Sequence, residues 1–239
     1  MPARVPARVF AIASAVITAG ALTGPAVAAS PDSAADVYSS NWSGYAASGS
    51  VGDYAAVSAT WIQPAVTCGS TNSYSSFWAG VDGYSTFVLE HTGTEADCIN
   101  GVPTYSAWWE AYPAAPARYS DPVRPGDQIT ATVSYAGSSS VVMTLMDSTQ
   151  GWTKTARSPR PSGPVMTSAE VIVGESPFGG TTTDLADFGT VNFKDCTTNL
   201  STLGSVSPNR IVMVGSGGTV RAQPGTISGS TFSDTWQHA

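Results

Sequence analysis

Apolar and polar positions alternate with a period of two along most of this chain, the pattern of half-buried strands. In Phe77–Gly83, Trp78, Gly80 and Asp82 fall on one face and Phe77, Ala79 and Val81 on the other. Asp82-Gly83 signals a turn. The alternation resumes in Phe87–Thr92, with Phe87, Leu89 and His91 opposite Val88, Glu90 and Thr92. In Thr104–Pro113, Ser106, Trp108, Glu110 and Tyr112 share a face. Further strands are predicted at Ser40–Ala47, Tyr54–Ile62, Asp127–Tyr135, Ser140–Asp147, Gly151–Ala156, Ser168–Val173, Thr190–Cys196, Arg210–Val214 and Thr231–Trp236. Turns of Gly, Ser, Pro and Asn separate them. No stretch of helical length has a 3.6-residue apolar period. The expectation is all-β, a sandwich or barrel.

The first 28 residues break this pattern. Arg4 and Arg8 precede a run of small apolar residues that ends at Ala26-Val27-Ala28, the layout of a secretory signal peptide. Gly20, Gly24 and Pro25 interrupt the run short of the roughly 20 residues a membrane span needs. Residues 29–39 read as a flexible leader and 40–239 as one domain. Export leaves about 210 residues with 8 bases and 17 acids, 8 − 17 = −9, once Arg4 and Arg8 are removed. That charge argues against nucleic acid and against an anionic membrane surface. An extracellular monomer without cofactor is expected.

Chemistry narrows the choice further. Cys68 and Cys98 lie in loop-like segments flanking the central strands and are the expected disulfide; Cys196, in a strand pattern, is the expected buried thiol. Two histidines and no zinc-spaced cysteine pair leave no metal site. There is no nucleophile elbow and no HExxH. What remains is aromatic and acidic: Trp42, Trp61, Trp78, Trp108 and Trp109 with Asp82, Glu90, Glu110, Glu170 and Glu175. Tryptophans and carboxylates on one sheet face suit a groove for a polymer, with Trp42, Trp78, Asp82, Trp108, Glu110 and Glu170 as candidate binding residues.

The ordered motifs SNWSGY (40–45), VSATW (57–61), WAGVDG (78–83), LEHTG (89–93), YSAWWEAYP (105–113), PGDQI (125–129), SAEVIVGE (168–175) and VNFKDC (191–196) resemble the glutamic peptidase family, the eqolisins. The resemblance covers nearly the whole mature chain. It implies a jelly-roll sandwich of two curved antiparallel sheets, a cleft across the concave face, and secreted endopeptidases that act on polypeptides in acid.

The resemblance also implies a Glu–Gln pair, the Glu activating water and the Gln amide holding it and the oxyanion. His91 stands where the family pattern has Gln. The expected Glu position falls on Gly174, with Glu175 one residue late. One reading keeps catalysis: His91 serves the oxyanion, and Glu175 is the base if a bulge at Gly174 turns it into the cleft, with Glu170 as second choice. The other keeps only the groove, as a binding site for peptide or glycan.

Overall fold

A computed structural model of the chain describes residues 36–175, 183–199 and 201–239. The expected signal segment and the leader up to residue 35 lie outside them. The strands, in order, are β1 (Val37–Ser39), β2 (Trp42–Ser48), β3 (Ala56–Ile62), β4 (Ser73–Tyr74), β5 (Ser76–Asp82), β6 (Leu89–Ile99), β7 (Val102–Tyr112), β8 (Ala117–Arg118), β9 (Gln128–Ala136), β10 (Ser140–Asp147), β11 (Trp152–Pro159), β12 (Ser168–Gly174), β13 (Asp184–Leu185), β14 (Thr190–Thr198), β15 (Ser201–Thr202), β16 (Asn209–Val214), β17 (Val220–Pro224) and β18 (Phe232–Trp236). One 3-10 turn, Leu203–Val206, is the helical element among the described residues.

Hydrogen bonding arranges the strands as two leaves. The first runs β1-β16-β2-β12-β5-β6-β7-β8. The second runs β11-β10-β9-β3-β14-β18-β17. β17 also pairs with β16, so the leaves are joined along one side. Nearly all pairings are antiparallel, as the sequence predicts. The strand pairs β1–β16 and β4–β13 are parallel. β1 falls in the stretch read as leader, where its short polar sequence carries no strand signal.

Period-two alternation explains the packing. In β9, Ile129, Ala131 and Val133 are buried, and in β10 so are Val141, Met143 and Leu145. They meet Phe77, Ala79 and Val81 of β5 and Ala169, Val171 and Val173 of β12 in one core. On the outside of the second leaf, hydroxyls pair across strands: Ser58 with Thr132, Thr60 with Thr130, Thr144 with Thr155. Strands β5 and β12 lie mid-leaf and are buried on both faces. Their second face carries a smaller apolar cluster of Ala46, Trp78, Leu89, Trp108, Ile172 and Ile211. The tryptophans therefore divide: Trp61 and Trp109 serve the main core, while Trp78 and Trp108, with Trp42 packed on them, occupy the face turned away from it. We refer to that second face as the cleft face.

Cys68 and Cys98 form the expected disulfide, and Cys196 is a buried free thiol. The bridge spans 30 residues of sequence. Loop-closure entropy at that length corresponds to about 3–4 kcal/mol. Cys68→Ser with Cys98→Ser is expected to lower stability by that order in urea titrations. One free thiol should be counted in denatured, unreduced protein; a count of three would mean the bridge does not form.

Candidate active site

Strand register assembles the site on the cleft face. Glu170 of β12 is paired with Gly80 of β5, Gly80 with His91 of β6, and His91 with Glu110 of β7. These four residues form one row across four strands. The adjacent row is Ile172, Trp78, Gly93 and Trp108. Trp42, paired with Gly174, sets its ring 5.0 Å from that of Trp78. Of the sequence-predicted residues, Trp42, Trp78, His91, Trp108, Glu110 and Glu170 are brought together.

Gly80 is the gap in the row. Glu170 and His91 sit two strands apart, about 9.5 Å between backbones. A Cβ at position 80 would lie 2.9 Å from His91 Cβ and 3.1 Å from Trp78 Cζ3. Only a residue without a side chain fits, which lets His91, Leu89 and Trp78 pack directly against the β5 backbone at this point.

His91 is 5 % exposed. Its ring stands edge-on to Trp78 and Trp108, 4.8 Å from each. Its Nε2 lies 2.7 Å from Glu110 Oε2. Burial lowers the imidazole pKa, and Glu110 opposes that. Glu170 is fully buried. Burial drives its pKa well above the ordinary carboxylate range, and Asp82 and Glu90 push it further up. Ser168 and the Tyr84 backbone are close enough to lower it partly but outside hydrogen-bonding geometry. Among the described residues neither Glu170 oxygen nor His91 Nδ1 has a hydrogen-bonding partner.

Two predicted site residues lie elsewhere. No bulge occurs at Gly174: it closes a regular register, opposite Trp42 and Ser76. Glu175 therefore does not turn into the cleft. Its carboxylate pairs with Arg221 Nη1 at 2.5 Å, and its amide donates to Asn41 O. Gly174 does face the cleft, but a Cβ there would come within 2.8 Å of Trp78 Nε1, so the position has no room for a glutamate. The glutamate of β12 that faces the cleft is Glu170, because 170 and 174 share a face and 175 does not.

Asp82 is the second correction. Alternation put it beside Trp78, but its backbone is left-handed, φ 68°. That turns its carboxylate onto the chain at 166–167 and onto the other leaf. Oδ1 accepts from the Thr167 amide and hydroxyl, at 2.9 and 3.0 Å. Oδ2 accepts from Tyr135 Oη of β9 at 2.7 Å and from the Met166 amide at 3.0 Å. It clasps the two leaves. The loop after it also departs from expectation: Phe87 is not in a strand and is 94 % exposed.

The His91–Glu110 contact was missed from sequence, yet a signal for it exists. Asn100 and Gly101, both at positive φ, join β6 to β7 as a two-residue hairpin loop. Asn-Gly is the preferred sequence for such a loop. Counting back from Ile99 opposite Val102 places His91 opposite Glu110.

Comparison with known proteins agrees with this fold. Residues 40–236 match the Peptidase A4 family model. Aspergillopepsin-2 of Aspergillus niger is 32 % identical over 194 residues, covering 70 % of this chain and 67 % of that protein. The crystal structure of scytalido-glutamic peptidase with a transition state analog inhibitor superposes with TM-score 0.69 at 26 % identity, over 83 % of this chain and 98 % of that one. SCP-B, an eqolisin in complex with the tripeptide Ala-Ile-His, gives 0.66 at 25 %, with the same coverage. The match spans both leaves and every strand of the site, and the chain belongs to the Peptidase A4 family, the eqolisins.

Proposed function

We propose that this protein is an exported endopeptidase that hydrolyses peptide bonds by direct attack of water, with Glu170 and His91 as its catalytic residues. One observation carries the reading. A buried carboxyl with no partner for either oxygen and a buried imidazole with one unpartnered nitrogen share a row, separated only by Gly80. Buried polar groups are ordinarily satisfied, so these atoms are suited to holding a water and a substrate carbonyl. An extended peptide laid over the leaf would meet Trp42, with Trp78 and Trp108 beneath. Relatives solved with a transition state analog and with a tripeptide support a polypeptide as substrate. Export rests on the signal-like first 28 residues and the disulfide. No described helix is long and apolar enough to cross a membrane.

The test is initial rates on an unfolded protein substrate between about pH 3 and 7, spanning the ordinary carboxylate and histidine ranges. Glu170→Gln is expected to lose about 10²–10⁴-fold in rate, the usual contribution of a proton-transfer group. Glu175→Gln should stay within a few-fold of wild type per folded molecule. The reverse ranking would move the acid back to Glu175. Peptide binding without any turnover would leave the groove as a binding surface only.

A further inference from the structure

Resting on the hydrolase reading above, we propose that Glu110 is a positioning residue that fixes the ring proton of His91 on Nε2, so that Nδ1 takes the proton of the attacking water while Glu170 gives one to the carbonyl oxygen. The division of labour then differs from a carboxylate base helped by an amide.

The geometry supports each part. A carboxylate only accepts hydrogen bonds, so the 2.7 Å contact to Glu110 Oε2 places the ring proton on Nε2 and leaves a lone pair on Nδ1. Edge contacts with Trp78 and Trp108 hold the ring between two indoles. Nδ1 is buried without a partner, which a purely structural histidine would not favour. A carboxylate that orients an imidazole through one nitrogen and frees the other is the logic of hydrolase triads, here with water in place of a serine.

Burial supplies the matching protonation states. It favours a neutral imidazole at His91 and a neutral carboxyl at Glu170 over the same pH range. Two titrating groups pushed in opposite directions mark a base and an acid. Glu110 is the charged group that bears on His91. Asp82 and Glu90 bear on Glu170: Asp82 is committed to Tyr135, Met166 and Thr167, and Glu90 lies on the opposite face of β6 from His91. From β5 and β12 no other titratable side chain of the site rows faces the ring.

The step balances. Water gives a proton to Nδ1 as its oxygen bonds to the carbonyl carbon. The carbonyl π pair moves to oxygen, which takes the Glu170 proton. On collapse the C–N bond breaks and the amine nitrogen takes the proton from Nδ1. The hydroxyl proton returns to Glu170 as the new carboxyl forms. No co-reactant is required.

The experiment measures kcat and KM from about pH 3 to 8 for wild type, Glu110→Gln and His91→Gln, with ¹⁵N NMR of the His91 ring. Wild type should show the proton on Nε2. In Glu110→Gln the amide can donate to Nε2 and reverse the tautomer. kcat should fall about 10²–10⁴-fold with KM within about threefold, and the acid limb of kcat/KM should move to lower pH, since Glu110 no longer stabilises the imidazolium. In His91→Gln that limb should vanish. An acid limb that survives in His91→Gln, a wild-type ring protonated on Nδ1, or an indifferent Glu110→Gln in an active enzyme overturns only this assignment. A wild type that cleaves nothing overturns the hydrolase reading and this one with it.

Discussion

Raising the pH from 5 to 8 is expected to cost this fold much of its stability. Burial, with Asp82 adding repulsion, holds Glu90 at a pKa of about 8. Burial alone is the main cause of the same shift, to about 8, at Asp234, against partial relief from Ser43. Asp97 is raised by burial and by Glu95, and Glu170 is raised as described. In the unfolded chain these groups titrate near 4. Between those values the folded protein keeps protons that the unfolded chain has lost. Unfolding then releases protons, and stability must fall as pH rises. For Glu90, Asp97 and Asp234 the contribution is complete below about pH 4 and is gone once the folded pKa of about 8 is passed. Each group weakens the fold by up to about 1.4 kcal/mol per pH unit. Glu90 and Asp234 alone would give at most about 3 kcal/mol per pH unit, against a typical total of about 5–15 kcal/mol. Urea midpoints at pH 4, 5, 6, 7 and 8 should decline steadily. A midpoint that is flat or rises over that range would show that these carboxyls are not neutral in the folded protein.

The second large effect is expected at Asp82. Its carboxylate accepts four hydrogen bonds, from Tyr135, Met166 and two groups of Thr167. Asp82→Asn keeps a residue that tolerates the left-handed backbone. However, it replaces one acceptor oxygen with an NH2 group that faces donors. At least one backbone N–H or the Tyr135 hydroxyl is then stranded inside the sandwich. Unsatisfied buried partners of a charged group place the cost at roughly 3–5 kcal/mol. Asp82→Ala should cost more, since a left-handed alanine adds about 1 kcal/mol. Because Asp82 also raises Glu90 and Glu170, both variants should decline less steeply with pH than wild type. Denaturation at pH 4 and pH 7 measures both effects. A Asp82→Asn protein as stable as wild type at both pH values would show that the clasp contributes nothing.

Much of this architecture is readable from alternation. Trp78 and Gly80 in β5, His91 in β6, and Trp108 and Glu110 in β7 face the cleft where a period of two places them. The ends of strands are less readable. β17 has no predicted counterpart, because Val220–Pro224 is short and mixes an arginine and a glutamine with small residues, yet it joins the leaves. Asp82 obeys the pattern in sequence and leaves it in space, because the Asp82-Gly83 turn signal marks a bend without saying that the left-handed residue is Asp82 itself. Glu175 was expected in the cleft for a different reason. Searching for Glu at a fixed spacing led to Glu175 and demanded a bulge, whereas alternation within an unbroken β12 points to Glu170. Long-range pairing, such as Glu170 opposite Gly80, depends on which strands become neighbours, and local sequence does not encode that.

The regular register makes the cleft a matter of odd and even. Even-numbered residues of β5, β7 and β12 look into it, Asp82 excepted, and so do odd-numbered residues of β6. Losing one residue inside β12 would exchange Glu170 for a valine and send the acid into the core, and a change in the Asn100-Gly101 turn would likewise shift His91 against Glu110. Strand lengths and the turn between β6 and β7 are therefore locked, while loops that set no hairpin register are free to drift. The same rule limits where new chemistry can be added. Gly80, Gly93 and Gly174 are closed to any side chain by their neighbours. Ala46, in the row of Glu170, Ile172, beside Trp78, and Leu89, at the start of β6, are among the remaining addresses. A descendant of this protein that acquired a further polar group in its cleft would acquire it there.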